Sequence, residues 1–159
     1  MPIEIRELRD EDFFAWIPLF DVYCRCSGTS LDDQKALVVW NWLRDPAEPL
    51  TGAGAFDEQG ALVGFVHSRV VPRALRASFV VTVDDLFVDE GRRRAGIGTA
   101  LLEHARSRPG IAEFGWAVPA GNEAALGLAE RIGRRTDLVV FASGVPEDES
   151  TAGDAEEAD

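Results

Sequence analysis

The residues best equipped for chemistry lie in EGRRRAGIGTALLEHARS, Glu90 to Ser107. Arg92, Arg93 and Arg94 come first, then Gly96 and Gly98, then an amphipathic run. A glycine-bearing turn that opens a helix is an anion site. The first backbone N–H groups have no partner inside the helix, and the dipole adds about half a positive charge there. Neither glycine has a Cβ, so a ligand can approach the backbone closely. The chain as a whole has a net charge of −12. Positive charge gathered at one turn of such a chain points to a ligand with phosphates. A Walker loop is excluded, because no Gly-Lys-Ser/Thr follows. A dinucleotide fingerprint fits poorly, because its third glycine position is Leu101. Taken alone, Gly-x-Gly also fits a plain turn with a solvated basic helix end.

Other reactive side chains are sparse. Cys24 and Cys26 form a C-x-C pair with no further ligands nearby, so free thiols are expected. His67 and His104 lack metal-spaced partners, and no metal site is expected. Both read as structural or exposed, although His67 could face a substrate slot. Trp16, Trp40, Trp42 and Trp116 read mainly as core, with an aromatic acceptor pocket as the alternative.

Ordered elements must position that turn. A short strand spans Ile3 to Glu7. Asp10 then caps a helix carrying Phe13, Phe14, Ile17 and Phe20, with Pro18 expected to kink or restart it. Ser30 is the expected cap of a second helix with Ala36, Leu37, Trp40 and Leu43 on one face. Leu50 to Phe56 and Ala61 to Val70 read as a hairpin, and SFVVTVDDLFV, Ser78 to Val88, as a further strand. A helix follows from Ile97 to Ser107, a strand from Ile111 to Val118, a helix from Asn122 to Ile132, and a last strand from Thr136 to Ala142. This order, β-α-α-β-β-β-α-β-α-β, predicts a mixed α/β domain.

Composition narrows the class. The 159 residues suit one domain, residues 1–143. A chain of this length can bury roughly two thirds of its unfolded surface without disulfide or metal staples. Residues 144–159 hold seven acids and no base, and read as a disordered, solvating tail. The acidity argues against nucleic acid as a partner. The acidic N-terminus does not read as a signal peptide, and no apolar run is long enough for a membrane span. A reduced, cytoplasmic protein is expected.

Arg93-Arg94-Ala95-Gly96-Ile97-Gly98 at a strand–turn–helix junction resembles the R/Q-x-x-G-x-G/A motif of the GCN5-related N-acetyltransferases. So do Asp84 to Val88 before it and Thr99 to Leu102 after it. Asn122, Ala125, Leu128 and Gly133 resemble the family's second motif, and the element order matches over residues 3–142. The resemblance implies a central mixed sheet of six to seven strands, flanked by helices and splayed at the cofactor. It implies acetyl-CoA as co-substrate. Backbone N–H groups of Arg94, Ala95, Gly96, Ile97, Gly98 and Thr99 would hold the pyrophosphate, beside Arg93. Leu86, Phe87 and Val88 would pair with the pantetheine arm, and Asn122 and Ala125 would line the far wall. Asn122 also reads as a helix cap, and both roles can hold together.

The implied reaction is direct attack of a primary amine on the thioester. Asp84 is the candidate base, where the similar polyamine acetyltransferases carry glutamate. Strand alternation sends its neighbour Asp85 to the opposite face. A bulge, or a salt bridge to an arginine, is the other role for either aspartate. The Val88 N–H is the implied oxyanion donor. Many relatives place a tyrosine acid where this chain has Ala129. The acceptor classes implied are a small-molecule amine, a polyamine or a lysine side chain, with a homodimer as the implied assembly. Two other readings stay open: a non-catalytic CoA-binding regulator, motivated by Ala129, and a nucleotide-binding module with a simple anion site.

Overall fold

The computed structural model describes residues 2–111 and 113–141. Its sheet order is β1 (Glu4–Glu7), β2 (Leu50–Phe56), β3 (Leu62–Arg73), β4 (Ser78–Val88), β5 (Glu113–Trp116). The first four strands pair antiparallel, and β5 joins β4 in parallel. A parallel pair needs a crossover, and here it carries α3 (Ile97–Arg106). The helices α1 (Phe13–Cys26) and α2 (Asp33–Arg44) precede β2, and α4 (Glu123–Ile132) follows β5.

The strands are apolar on both faces, so helices must cover both. On one face Trp16, Phe20, Trp40 and Leu43 from α1 and α2 pack with Phe65 and Phe87 of the sheet. On the other, Ile97, Leu101, Leu102 and Ala105 of α3 pack with Ala53, Ala55, Val63, Val66 and Val83, and Leu128 and Ile132 of α4 join them. The second motif's apolar residues therefore lean α4 against α3. Gly133 ends that helix under Trp116, where an added Cβ would lie 2.8 Å from Trp116 Cη2.

Five expectations are corrected. Among the described residues the sheet has five strands, not six to seven. Residues 136–141 are neither helix nor strand, and Leu138, Val139, Val140 and Phe141 are exposed. Ala142 and the acidic tail lie outside the described residues. Strand propensity alone does not make a strand, because its backbone groups need a partner edge. Pro18 does not restart a helix, since α1 is a single element across it. It forfeits only the bond to the Phe14 carbonyl, in the exposed first turn. Asp32 replaces Ser30 as the cap of α2, its carboxylate accepting from Lys35 N at 2.7 Å. Asp10 does not cap α1 but accepts from Arg44 Nε at 2.8 Å.

Beside Asp10, the buried Asp12 accepts two hydrogen bonds from Arg6, at 2.7 and 2.9 Å, and one from Arg9 N at 2.7 Å. The Arg6 bonds hold the Asp12 carboxyl below its usual range, against the upward push of burial. A carboxyl depressed by folding contributes stability above its unfolded value of about 4, and this is lost as pH falls through the folded value. Asp12→Asn is expected to flatten the loss of stability below about pH 4, as read from urea midpoints across the acid range.

Candidate active site

The Arg-rich turn is held from behind. Asp57 closes the β2–β3 turn by accepting from Gln59 N and Ala61 N, both at 3.0 Å, and it accepts from Arg92 Nη2 at 2.8 Å. Arg92 therefore pairs with a buried carboxylate. Arg93 folds back, with Nε donating to Val88 O at 3.0 Å. Arg94 and Gly96 have φ of 64° and 80°, in the left-handed region that favours glycine. Gly96 is the N-cap of α3 and has no side chain to cap it. The first intrahelical bond runs from Ala100 N to Gly96 O at 3.0 Å. The amides of Ile97, Gly98 and Thr99 therefore lack an intrahelical partner. A Cβ built at Gly96 meets nothing within 4 Å, so the space before the turn is open. At Gly98 it would lie 3.2 Å from Leu128 Cδ2, so this glycine also sets how closely α4 packs. The turn thus fits an anionic group bound at a helix start.

The strand leading into that turn is half uncovered. β5 pairs with β4 only from Val80 to Val83. Beyond Val83 no described strand pairs with β4 on its β5 side. Asp89 N bonds Val63 O at 2.9 Å, so ladder alternation turns the Leu86 and Val88 amides away from β3, toward that side. Asn122 caps α4 by accepting from Ala125 N at 3.1 Å, as expected for a helix cap. Ala129 has no titratable group, and its carbonyl accepts from Gly133 N at 2.8 Å.

Asp84 and Asp85 break the alternation. Val83 pairs with Ser68 and Asp85 with His67, leaving Asp84 as the extra residue of a bulge. Val83 and Leu86 consequently pack into the same α3-side core, three positions apart. The expected opposite facing of the two aspartates is corrected by this bulge. Both line one open pocket of about 340 Å³. Phe20, Val39, Trp42, Pro49 and Leu50 form its apolar walls. Glu48 and Arg69 complete the polar lining. Asp84 Oδ1 accepts from Arg69 Nε at 3.1 Å and Nη2 at 2.8 Å.

Asp85 is tied into the buried side of the pocket. Tyr23 donates its hydroxyl to Oδ1 at 2.7 Å, and His67 Nδ1 lies 2.8 Å from Oδ2. Trp16 Nε1 donates to His67 Nε2 at 3.1 Å. An indole N–H only donates, so the ring proton of His67 sits on Nδ1 and points at Asp85. Burial pushes the Asp85 carboxyl up, but the His67 and Tyr23 bonds more than offset it and leave the group below its usual range. Burial, with the Asp85 charge, pushes the Tyr23 hydroxyl well above its ordinary value. Asp85 is therefore an oriented anion with two fixed donors. Of this network, sequence reasoning left Asp85 as a neighbour of the base and Tyr23 unplaced. The available signal was a lone histidine and an aspartate on otherwise apolar strands.

His104 is not among the pocket's lining residues, and its Nε2 lies 3.3 Å from Glu7 Oε1. Cys24 is buried, Cys26 is exposed, and neither is bridged. Among the described residues no cluster of three or more His, Cys, Asp and Glu could hold a metal, and no helix is long and apolar enough to cross a membrane.

A model of the Acetyltransferase (GNAT) family matches residues 5–133. The chain belongs to that family. Membership marks it as an N-acetyltransferase. It is 29% identical over 143 residues to the D-amino-acid N-acetyltransferase HPA3 of Saccharomyces cerevisiae, covering 87% of this chain and 89% of that protein. Among solved structures it resembles ribosomal-protein-alanine N-acetyltransferase from Brucella melitensis biovar Abortus 2308. There the identity is 22%, the TM-score 0.76, and the coverage 89% of this chain and 99% of the other. It also resembles the aminoglycoside N-acetyltransferase AAC(6')-Iy bound to CoA, at 17% identity and TM-score 0.77, covering 89% of this chain and 94% of the other. These likenesses establish the GNAT fold.

Proposed function

We propose that this protein transfers the acetyl group of acetyl-CoA to a primary amine by direct attack. The observation that carries the reading is one strand, β4, whose bulge at Asp84 lines a pocket with carboxylates and whose end beyond Val83, unpaired with β5, leads to the open start of α3. The HPA3 relative's named activity and the CoA complex of the aminoglycoside enzyme agree with it. We place the protein in the cytoplasm, in keeping with two unbridged cysteines.

Acetyl-CoA supplies an activated acyl group as a thioester. In our reading the amides of Arg94 to Thr99 hold its pyrophosphate, and Leu86, Phe87 and Val88 align the pantetheine arm. Asn122 and Ala125 form the wall across from them. Asp84 takes a proton from the incoming ammonium, whose free pKa is about 10.4. The freed nitrogen forms the C–N bond as the C–S bond breaks. The Val88 N–H donates to the carbonyl oxygen as negative charge develops, an effect worth roughly 3 kcal/mol when well aimed. The sulfur leaves as thiolate, which a thiol pKa of about 8.5 permits without an acid at Ala129, and the second proton shed by the nitrogen as the amide forms passes to that thiolate or to water.

The test is CoA release, read by chromatography, against monoamines, polyamines, amino acids, aminoglycosides and lysine peptides. Release that depends on one amine class is expected. Tight acetyl-CoA binding with no release for any class would favour the second reading, a CoA-binding regulator, which the missing tyrosine at Ala129 motivates. Gly98→Val tests the donor site. Its branched side chain would press on Leu128 and stand before the helix start. The Kd for acetyl-CoA is expected to rise by about tenfold or more in calorimetry.

A further inference from the structure

The pocket at the bulge has a composition that selects among amines. This argument rests on the reading of that pocket as the acceptor site. Three carboxylates line it, Glu48, Asp84 and Asp85, against one guanidinium, Arg69. That guanidinium is already engaged, giving two hydrogen bonds to a single Asp84 oxygen. Asp85 cannot turn away, because Tyr23 and His67 hold its two oxygens and Trp16 holds His67. The rest of the lining is apolar and includes Trp42, which is half exposed.

We propose that the acceptor is a compact amine cation with an apolar body and no carboxylate, and that Asp85 is the specificity-determining residue that seats its ammonium. An ammonium against Asp85 completes a charge-assisted hydrogen bond with a carboxylate that is already oriented. The apolar body covers Trp42, Phe20 and Leu50, where it leaves water. A carboxylate on the substrate would lie beside three like charges. It would have to draw Arg69 off Asp84 to find a partner, and juxtaposed like charges disfavour binding strongly. A pocket of about 340 Å³ is at the small end for organic ligands. It suits a monoamine the size of phenethylamine better than an aminoglycoside. The proposal departs from the named amino-acid substrate of the HPA3 relative.

The experiment is calorimetric binding of three compounds with one skeleton to the full chain saturated with CoA. Phenethylamine has no carboxylate, phenylalanine amide carries a neutral carboxamide, and phenylalanine (D or L) carries a carboxylate. Phenethylamine and the amide are expected to bind at least about tenfold tighter than either phenylalanine. Asp85→Asn is expected to weaken phenethylamine by about tenfold or more. Glu48→Gln leaves the buried network alone and keeps the test open should the Asp85 variant misfold. It is expected to narrow the gap between phenethylamine and phenylalanine about two- to threefold. Phenylalanine binding as tightly as phenethylamine, no amine binding at all, or a gap unmoved by Glu48→Gln would overturn the proposal. CoA release measured alongside separates the two readings. The expected binding order without any release sinks acetyl transfer and keeps the pocket's preference. Release favouring phenylalanine does the reverse.

Discussion

Asp84→Asn is expected to lower kcat/KM for amine acetylation by roughly 10²- to 10³-fold while leaving the Kd for acetyl-CoA unchanged. Asparagine keeps the shape of the side chain and an oxygen for Arg69, so the bulge and pocket should survive. What it removes is the capacity to take a proton. An alkylammonium at neutral pH is almost wholly charged, with a pKa of about 10.4, and its charged form has no lone pair to attack with. In the variant only amine already deprotonated in solution can react. Its kcat/KM should therefore climb about tenfold per pH unit toward the amine's own pKa. The wild type should level off earlier. A loss smaller than about threefold would remove Asp84 from the proton transfer and leave Asp85 or a water to do it.

Trp16→Ala is the change expected to harm the fold most, at about 3–5 kcal/mol. That is a large share of the roughly 5–15 kcal/mol by which a domain is stable. Trp16 is fully buried, stacks on Phe20 at 4.5 Å between ring centroids, and lies 5.1 Å from Trp40. Alanine would open a cavity at the junction of α1, α2 and the sheet. It would also strip His67 Nε2 of its donor in a site with no exposure. Trp16→Phe separates the two effects. It keeps most of the ring packing and deletes the N–H, and about 1–3 kcal/mol should be lost. Urea unfolding measures both variants, and amine binding in Trp16→Phe reports whether His67 still orients Asp85. A loss below about 1 kcal/mol for alanine would contradict the packing described here.

The local features were legible along the chain because they are set by nearest neighbours. Asn122 as a cap and the strand limits of Leu50–Phe56 and Ser78–Val88 follow from propensity and turn chemistry. The two glycine- and asparagine-bearing motifs lie inside one family match that runs from residue 5 to residue 133. The helix caps were less legible. Asp32 took the role expected of Ser30, and Asp10 turned to Arg44, because several acids in a short span can each satisfy a helix start.

What the chain could not reveal by itself depends on partners far away in sequence. Alternation puts Asp84 and Asp85 on opposite faces, and only the pairing of β4 with β3 shows the bulge that opens both to one pocket. Tyr23 meets Asp85 across 62 positions, and Trp16 meets His67 across 51. No local spacing rule reaches that far. The segment at 136–141 shows the same limit from the other side, since its valines favour a strand and the described sheet offers it no pairing. Sequence alone determined the glycine turn at the start of α3, the helical faces and the class of chemistry, because these rest on residue type and short-range geometry. Tertiary structure decided which carboxylate is oriented, which arginine is paired with Asp57 and which residues line the pocket at the bulge, because those depend on contacts that exist only once the sheet has closed.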